Sequence, residues 1–325
     1  MQTFAKIFFF NINLKPYIYS NIATLAYWCD FAAIAISFET QHFVPMNFYI
    51  YHPEDALRPF VKQYYYWEDN SSGLIQLPQH LFALGDQYMV FIQQGEAAVK
   101  PVNHAGFTLP QNAVIGHFTC ACHLQVKGPV KMVIVQLNAY GCYRFLGMNM
   151  QSFTNYYRNL AANENPLWMQ LSQQLEQIQQ PADIISILNN TYQQAMVQHH
   201  HPLKQVNEMV DYLLANHGNV SPEELSHAFQ LSRPTMERIF TSVTGLPPQL
   251  YARMVRYKTA LRSLQQLNLS QWQANLAKTA YYSQAMFIKD YLEFNGETPS
   301  YFARSGAATI AHMPVPGLQQ VAVAS

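Results

Sequence analysis

The spacing of apolar and polar residues changes along the chain, and the first regular pattern is that of β-strands. Between residues 47 and 137, short apolar or alternating runs are separated by turn residues, which is typical of an antiparallel sheet. The runs are residues 61–67, 89–92, 113–118 and 131–137, and the expected breaks are residues 71–73, Gly95, Gly106 and residues 128–129. The pattern predicts a β-rich domain, either a barrel or a sandwich.

Four consecutive aromatic residues, Tyr64, Tyr65, Tyr66 and Trp67, lie in the first of these runs. Successive side chains of a strand point to opposite faces, so alternate members belong to different faces of the sheet. We expect them to be ordinary core residues. The alternative is that they line a ligand cavity.

After Gly141 the apolar residues recur at helical spacing, in two runs that Pro181 separates. The first run is Leu167, Trp168, Leu171, Leu175 and Ile178, and the second is Ile184, Ile187, Leu188, Tyr192 and Met196. The polar faces carry mostly Gln and Asn. These helices are expected to pack on the β domain or on a second copy of the chain.

A first helix–turn–helix pattern begins at Ser221, which is placed as an N-cap before Pro222 with a glutamate at the third helical position. Its helix directs Leu225, Ala228 and Phe229 inward. Ser232 caps the next helix, Gly245 ends it, and the inward stripe is Met236, Ile239, Phe240 and Val243. The residues left outside are Arg233, Pro234, Thr235, Glu237 and Arg238.

A second pattern of the same kind follows about 50 residues later. A long helix marked by Leu250, Met254, Tyr257, Leu261 and Leu264 is expected to bridge the two. The second unit starts with a capping box at Ser270 and directs Trp272, Leu276, Ala277 and Ala280 inward. Ser283 caps its last helix, which buries Phe287, Tyr291 and Phe294 and leaves Gln284, Ala285, Ile288 and Lys289 outside. A short final helix opens at Thr298-Pro299.

Two small helical units with polar helix faces are suited to entering two neighbouring major grooves, so the sequence predicts duplex DNA as the partner. No phosphate-cradling loop, nucleophile elbow or metal motif is present, and we predict no catalytic residue and no enzymatic activity. The predicted DNA-binding residues are Arg233, Pro234, Thr235, Glu237, Arg238, Ser283, Gln284, Ala285, Ile288 and Lys289.

The run from Ala280 to Tyr291, followed by Gly296-Glu297-Thr298-Pro299, resembles the most specific signature of the AraC/XylS-type transcription regulators. The resemblance covers roughly residues 203–304, about a third of the chain. It implies a seven-helix DNA-binding domain, with the helices that start near Ser232 and Ser283 inserted into adjacent major grooves. Residues 46–160 look like the sensor-type domain often found ahead of it.

Three residues depart from the pattern of that family. Ala280 stands where glycine is usual, Leu292 where a basic residue is usual, and Met286 where a polar residue is common. These departures favour weakened or salt-sensitive binding by the second unit. They also support an alternative function, a protein-interaction module whose helix–turn–helix domain has lost DNA binding. A further alternative pairs Glu237 with Arg238 as a surface ion pair only.

Charge adds little support for a nucleic-acid partner. The formal net charge is zero, and half of the residues are apolar. Residues 203–304 contain ten Lys/Arg and eight Asp/Glu, a net charge of +2. This is a weak electrostatic footprint for a DNA-binding domain.

The four cysteines, Cys29, Cys120, Cys122 and Cys142, form no disulfide framework in a chain of this length, which favours a reducing, cytoplasmic compartment. His117, Cys120, Cys122 and His123 are a candidate metal cluster. In an alternating strand, however, the two cysteines share one face and the two histidines the other. We therefore predict a structural strand there, with no metal and no cofactor.

The predicted class is α+β: an N-terminal β-rich sensor-like domain followed by an all-α domain with two helix–turn–helix motifs. The predicted segments are an extension of doubtful status at 1–45, a sensor domain at 46–160, a helical connector at 161–201, the DNA-binding domain at 202–305 and a tail at 306–325. Residues 18–38 have the length of a membrane or signal segment, but Met46 as the true start is favoured. Candidate partners besides double-stranded DNA are RNA polymerase, a small-molecule effector and a second copy of the chain.

Overall fold

The computed structural model describes residues 47–76, 84–102, 104–160, 165–178, 180–198, 201–264, 276, 281 and 283–296. Several expectations lie outside these residues. They are the extension at 1–45 with its apolar stretch at 18–38, the capping box at Ser270, the turn at Ala280 and the final helix after Thr298.

The amino-terminal half folds into one antiparallel sheet. Its strands are β1 (Asn47–Tyr51), β2 (Val61–Gln76), β3 (Gln87–Pro101), β4 (Phe107–Thr108), β5 (Asn112–Ile115), β6 (Cys122–Leu137) and β7 (Tyr157–Asn159). The described strands are ordered β1-β2-β6-β3-β5-β7, and β4 pairs with β3. Among the described strands, β1 and β7 at the two ends of this order do not pair with each other. The β-rich domain that the sequence predicts is therefore built on one continuous sheet.

Most of the breaks predicted within the sheet are irregularities inside long strands. The register between β2 and β6 shifts between Asp69 and Gly73, and that between β3 and β6 shifts on either side of Gln94. Gly128 and Pro129 lie within β6. A bulge accommodates an extra residue without ending the ladder, which is why turn residues there do not terminate the strands. Gly106 does lie in a loop, just before β4.

Both faces of the sheet are buried, and the aromatic run shows this directly. Tyr64 and Tyr66 belong to the core on one face, whereas Tyr65 and Trp67 belong to the core on the other. All four side chains are buried, which confirms the expectation that they are core residues.

The first face is covered by α1 (Gly141–Leu146), a 3-10 turn (Met150–Phe153), α2 (Pro166–Glu176) and α3 (Asp183–Gln198). The ring of Tyr192 lies 4.7 Å from that of Phe145 and 5.4 Å from that of Trp168. The hydroxyl of Tyr64 donates to Asn189 Oδ1 of α3 at 3.0 Å. The apolar faces of α2 and α3 therefore pack on the sheet of the same chain, which is one of the two partners proposed from the sequence.

The carboxyl-terminal region is helical, with α4 (Val206–Ala215), α5 (Pro222–Ala228), α6 (Arg233–Thr244), α7 (Pro248–Leu264) and α8 (Gln284–Asn295). These helices share a core to which Ala139 and Tyr140 of the β domain also belong. The helical region is thus packed directly on the β domain. The α+β class predicted from the sequence is confirmed.

The cysteine–histidine segment is only partly a strand. β6 starts at Cys122, so His117 precedes it in a loop, which corrects the expectation that one strand carries all four residues. Cys120, Cys122 and His117 are buried, and burial lowers the pKa of His117 to about 4. The Sγ of Cys120 lies 3.0 Å from the carbonyl oxygen of Val102. Within the described residues, no group of three or more His, Cys, Asp or Glu side chains is arranged to hold a metal ion.

A search of the described helices for a membrane-spanning segment finds none of sufficient length and apolarity.

Packing of α2 on the sheet can be tested with a matched pair of substitutions. Leu171 is fully buried, whereas Met169 of the same helix is 39% exposed. We expect Leu171→Ala to lower the free energy of unfolding by about 2–5 kcal/mol, because it leaves a cavity in the core. Met169→Ala should cost less than about 1 kcal/mol. Urea unfolding followed by tryptophan fluorescence measures both, and equal costs would contradict the observed packing.

Candidate nucleic-acid interface

The first helix–turn–helix unit is built from α5, a tight turn and α6. Ser221 and Glu224 form the predicted capping box: Glu224 N donates to Ser221 Oγ at 3.1 Å, and Ser221 N donates to Glu224 Oε2 at 2.7 Å. Leu225 is buried and Phe229 is half-buried, but Ala228 is exposed, so the prediction that Ala228 faces inward is wrong. Ala228 is the last residue of α5, and Phe229, which follows it as the C-cap residue, packs against the helical core instead.

Helix α6 has a buried face and a polar face, as the sequence predicts. Met236, Ile239, Phe240 and Val243 are buried. The amino-terminal half exposes or half-exposes all five predicted contact residues: Arg233, Pro234, Thr235, Glu237 and Arg238. Ser232 caps the helix by accepting from Thr235 N.

The charges on the polar face of α6 are distributed unevenly. Arg233 Nε donates to Glu237 Oε1 at 2.8 Å, and its guanidinium also pairs with Glu223 of α5. The alternative pairing of Glu237 with Arg238 is therefore not the one formed. Arg238 makes no ion pair with the described residues, which leaves its guanidinium available to a ligand.

The second unit presents α8 in the same way. Ser283 caps the helix by accepting from Met286 N at 3.2 Å. Phe287, Tyr291 and Phe294 are buried as predicted. The exposed residues include all five predicted at this unit: Ser283, Gln284, Ala285, Ile288 and Lys289.

Helix α7 is the scaffold that α6 and α8, the two candidate recognition helices, have in common. The ring of Tyr251 lies 5.8 Å from that of Phe240 in α6. About one and two-thirds turns further along α7, the ring of Tyr257 lies 5.0 Å from that of Phe294 in α8. The predicted bridging role of this helix is confirmed for the described residues.

Asp290 is the residue at this interface whose buried position was not predicted from the sequence. Its carboxylate is buried on the inward face of α8 and accepts from Arg253 Nη2 at 2.6 Å and from the Tyr281 hydroxyl at 2.8 Å. Arg253 also pairs with the exposed Glu293 at 2.6 Å. Although burial lowers it, the Glu293 and Asp290 carboxylates raise the pKa of Arg253, which stays charged.

A signal for this network was present in the sequence. Asp290 follows Phe287 by three positions and precedes Phe294 by four, so it lies on the inward stripe of the helix. A charge on a buried stripe requires a partner, and two arginines, Arg253 and Arg256, lie on the long helix that was predicted to bridge the two units. What the sequence does not give is the distance between them.

The exposed face of α8 is less polar than that of α6. Ile288 is 39% exposed and Leu292 is 46% exposed, and they lie one turn apart. Met286 is half-buried. Lys289 is the cation of this face, and it makes no ion pair with the described residues.

Two capped helices that expose their amino-terminal halves and share a scaffold helix define a helix–turn–helix domain, the fold of a class of DNA-binding proteins. Residues 225–305 match a family described as a helix-turn-helix domain, and residues 49–159 match one described as a domain of unknown function, DUF6597. Residues 225–305 therefore form a helix–turn–helix domain of the AraC type, which supports a DNA-binding transcription regulator.

Comparison with solved structures gives distant matches. ToxT from Vibrio cholerae is 10% identical, over 80% of this chain and 97% of that chain, with a TM-score of 0.36. A structure of ToxT from the same organism with bound unsaturated fatty acid is 11% identical, over 81% and 95%, with a TM-score of 0.36. The AraC-like transcriptional activator CuxR is 10% identical, over 61% and 76%, with a TM-score of 0.27. Comparison with curated proteins gives no significant match.

The buried network of Asp290 can be tested against its exposed neighbour. Asp290 and Glu293 both bind Arg253, but the Asp290 side chain is 3% exposed and that of Glu293 is 44% exposed. We expect Asp290→Ala to destabilise the chain by about 3–5 kcal/mol, because it leaves a half-buried guanidinium without its inner partner. Glu293→Ala should cost about 0–1 kcal/mol.

Thermal unfolding by circular dichroism measures both variants against the unaltered chain. If the two variants had the same melting temperature, Asp290 would not hold α8 on α7.

Proposed function

We propose that this protein is a sequence-specific, one-component regulator that inserts the amino-terminal halves of α6 and α8 into adjacent major grooves under the control of its β domain. The observation that supports this most strongly is the matched presentation of the two helices. Each is capped by a serine, Ser232 or Ser283, and each leaves the predicted contact residues on the exposed face. Both are held by α7.

The side chains on α6 suggest how the first unit would read bases. Arg238 can donate two hydrogen bonds to the O6 and N7 atoms of guanine. Glu237 can accept from the N4 amino group of cytosine, but it must then share its carboxylate with Arg233. We infer that Arg238 supplies most of the sequence selection of this unit, with Pro234 and Thr235 fitting beside it.

The second unit would read mainly through one amide and apolar contacts. Gln284 can form two hydrogen bonds with adenine, and Ala285 and Ile288 can contact a thymine methyl group. Ser283 and Lys289 are suited to phosphate oxygens.

Control by the β domain is supported by a buried charge cluster at the contact with α7. Asp86 precedes β3, is 2% exposed, and accepts from Lys62 Nζ at 2.5 Å and from Gln136 Nε2 at 2.7 Å. Lys258 of α7 donates to the carbonyl of Leu84 at 2.6 Å. Burial lowers the pKa of Lys258 to about 8, although Asp86 raises it. A conformational change in this part of the β domain would therefore alter its contacts with α7.

An effector acts on such an arrangement only through different affinities for two arrangements of the β domain and the helices. We propose that a small molecule supplies this difference and that RNA polymerase is the downstream partner. A homodimer would have to use surfaces other than the apolar faces of α2 and α3, which the sheet covers. The cytoplasm is the compartment that we expect for this activity.

A second candidate function is a docking module that has lost DNA binding. The exposed Ile288 and Leu292 on α8 favour it, because an apolar pair on a recognition helix suits a protein partner better than a phosphate backbone. This candidate predicts that substituting Arg238 has no effect on partner binding.

The test that separates the two candidates is selection from random duplex DNA by the full chain at low and moderate salt. Enrichment of two short submotifs about one helical turn apart supports the regulator with two recognition helices. Enrichment of one submotif means that α8 does not read bases. No enrichment at either salt concentration, with or without candidate effectors, contradicts the regulator and favours the docking module.

Base reading by Arg238 gives a specific expectation. Arg238→Ala should lower discrimination at one base pair of the site by about 10- to 100-fold, since a good bidentate contact contributes about 1–3 kcal/mol. Arg262→Ala is the matched control, because Arg262 is exposed on α7 and makes no ion pair with the described residues. Fluorescence anisotropy with single-base variants of the selected site measures both. An unchanged sequence preference in Arg238→Ala would exclude this residue as a base reader.

The half-buried Lys258 gives an expectation for the pH dependence of stability. Its pKa is about 8 in the folded chain, compared with about 10.4 for an unperturbed lysine. Between these values the unfolded chain binds more protons than the folded chain, so stability rises with pH. The rise from pH 7 to 9.5 should be about 1–2 kcal/mol larger in the unaltered chain than in Lys258→Met.

Urea unfolding across this pH range provides the measurement, with Lys204→Met as the control because Lys204 is exposed. A Lys258→Met variant that keeps the full pH dependence would show that Lys258 is not buried at this contact.

A further inference from the structure

The carboxyl-terminal ends of both recognition helices are hydrogen-bonded to the β domain. The carbonyl of Gly245, just after α6, accepts from Thr154 Oγ1 at 2.6 Å. The carbonyl of Phe294, in the last turn of α8, accepts from the backbone N–H of Ala121 at 2.5 Å. The last carbonyls of a helix lack partners within the helix, so these contacts satisfy groups that otherwise need water.

The β domain approaches both helix ends so closely that only glycine fits. Gly245 and Gly296 end α6 and α8 in the left-handed conformation, with φ of 87° and 76°. A Cβ atom on Gly245 would lie 2.7 Å from the carbonyl oxygen of Met150. A Cβ atom on Gly296 would collide with the side chain of Val102. Neither end can shift toward the β domain.

The two contact points on the β domain are joined by one side chain, that of Asn155. Asn155 follows Thr154 in sequence, and its Oδ1 accepts from the backbone N–H of Thr119 at 2.8 Å. Its Nδ2 lies 2.8 Å from Thr119 Oγ1, and its own backbone N–H donates to the carbonyl of His117 at 2.8 Å. Thr119 precedes Ala121 by two residues.

A short path therefore connects the two recognition helices through the β domain. It runs from Gly245 to Thr154 and Asn155, across hydrogen bonds to Thr119, and on to Ala121 and Phe294. Asn155 has a φ of 57°, a conformation that asparagine adopts more readily than most residues. Asparagine therefore suits this position both by its backbone conformation and by the hydrogen bonds of its side-chain amide.

We propose that Asn155 is a positioning residue that fixes the separation of α6 and α8, and thereby the spacing of the two DNA submotifs that the protein accepts. This inference rests on the proposed function. Helix α7 holds the two helices from one side, and the bridge through Asn155 holds their carboxyl ends from another. Two linked recognition units bind together only if their separation matches the separation of the sites.

The test uses Asn155→Gly, because glycine tolerates the same φ and removes only the amide side chain. Thr119→Val removes the hydroxyl partner while keeping the backbone donor, and Thr119→Ser keeps both. Gln151→Ala, at an exposed position in the neighbouring 3-10 turn, is the control. Each full-length variant is titrated with duplexes that carry both submotifs with spacers lengthened or shortened by one or two base pairs.

We expect the unaltered chain, Thr119→Ser and Gln151→Ala to prefer one spacing sharply. Asn155→Gly should bind the preferred spacing about 10-fold more weakly than the unaltered chain does, because the loss of a preorganised separation costs affinity at the best site. The further loss of affinity on changing the spacing should be smaller in this variant than in the unaltered chain. Thr119→Val should lie between. Affinity for a duplex with a single submotif should not change in any variant. A spacing profile of Asn155→Gly identical to that of the unaltered chain would overturn the proposal.

A second measurement does not depend on DNA binding, so it separates failure of this proposal from failure of the proposed function. Spin labels are attached at Arg238→Cys and Lys289→Cys, which lie on the exposed faces of α6 and α8. The distance distribution should be narrow in the labelled chain and broader when Asn155→Gly is added. Equal widths would overturn the role of Asn155 even if the protein did not bind DNA.

Discussion

The position of two short helices relative to each other is the constraint on which the rest of this structure depends. Helices α6 and α8 have twelve residues each, a length at which an isolated helix is marginal in water. Their stability and their orientation therefore come from what they pack against. Tyr251 and Tyr257 of α7 supply that surface, one for each recognition helix. Because both lie on one rigid helix, movement of α7 carries both recognition helices together.

Two buried carboxylates, Asp290 and Asp86, join parts of this structure. Asp290 ties α8 to α7 through Arg253, and Asp86 with Lys62 and Lys258 lies where α7 meets the β domain. Buried pairs of this kind add little net stability compared with apolar residues, but breaking one leaves an uncompensated charge. Their effect is to make one arrangement of the helices and the sheet more stable than alternative arrangements in which these charges lose their partners. An effector that disturbed the cluster at Asp86 would act on such a contact.

Local signals made much of this structure predictable, and long-range contacts account for the rest. The caps at Ser221, Ser232 and Ser283 could be predicted because a cap needs only the next three residues. The sequence predicts turns where the structure has strand bulges, because a bulge is determined by the pairing with a neighbouring strand. The predicted contact residues could be placed on exposed faces from helical periodicity alone. The contacts of Asp290 with Arg253 and of Asn155 with Thr119 could not, since these partners lie 37 and 36 residues away in sequence.

Few cationic side chains on the described part of the helical domain are free of ion pairs, which limits the number of phosphate contacts that the domain can make. In the described part of residues 203–304, Arg233, Arg253 and Arg256 are engaged in ion pairs, and the half-buried Lys258 donates to the carbonyl of Leu84. This leaves Lys204, Arg238, Arg262 and Lys289 without ion pairs. The sequence-independent part of DNA affinity grows with the number of phosphates neutralised, so it is small here. Under the proposed function, selection then comes from a few base contacts made at the same time by both helices. In that case, a separation fixed by α7 and by the bridge that we propose through Asn155 determines whether those contacts add up to specific binding.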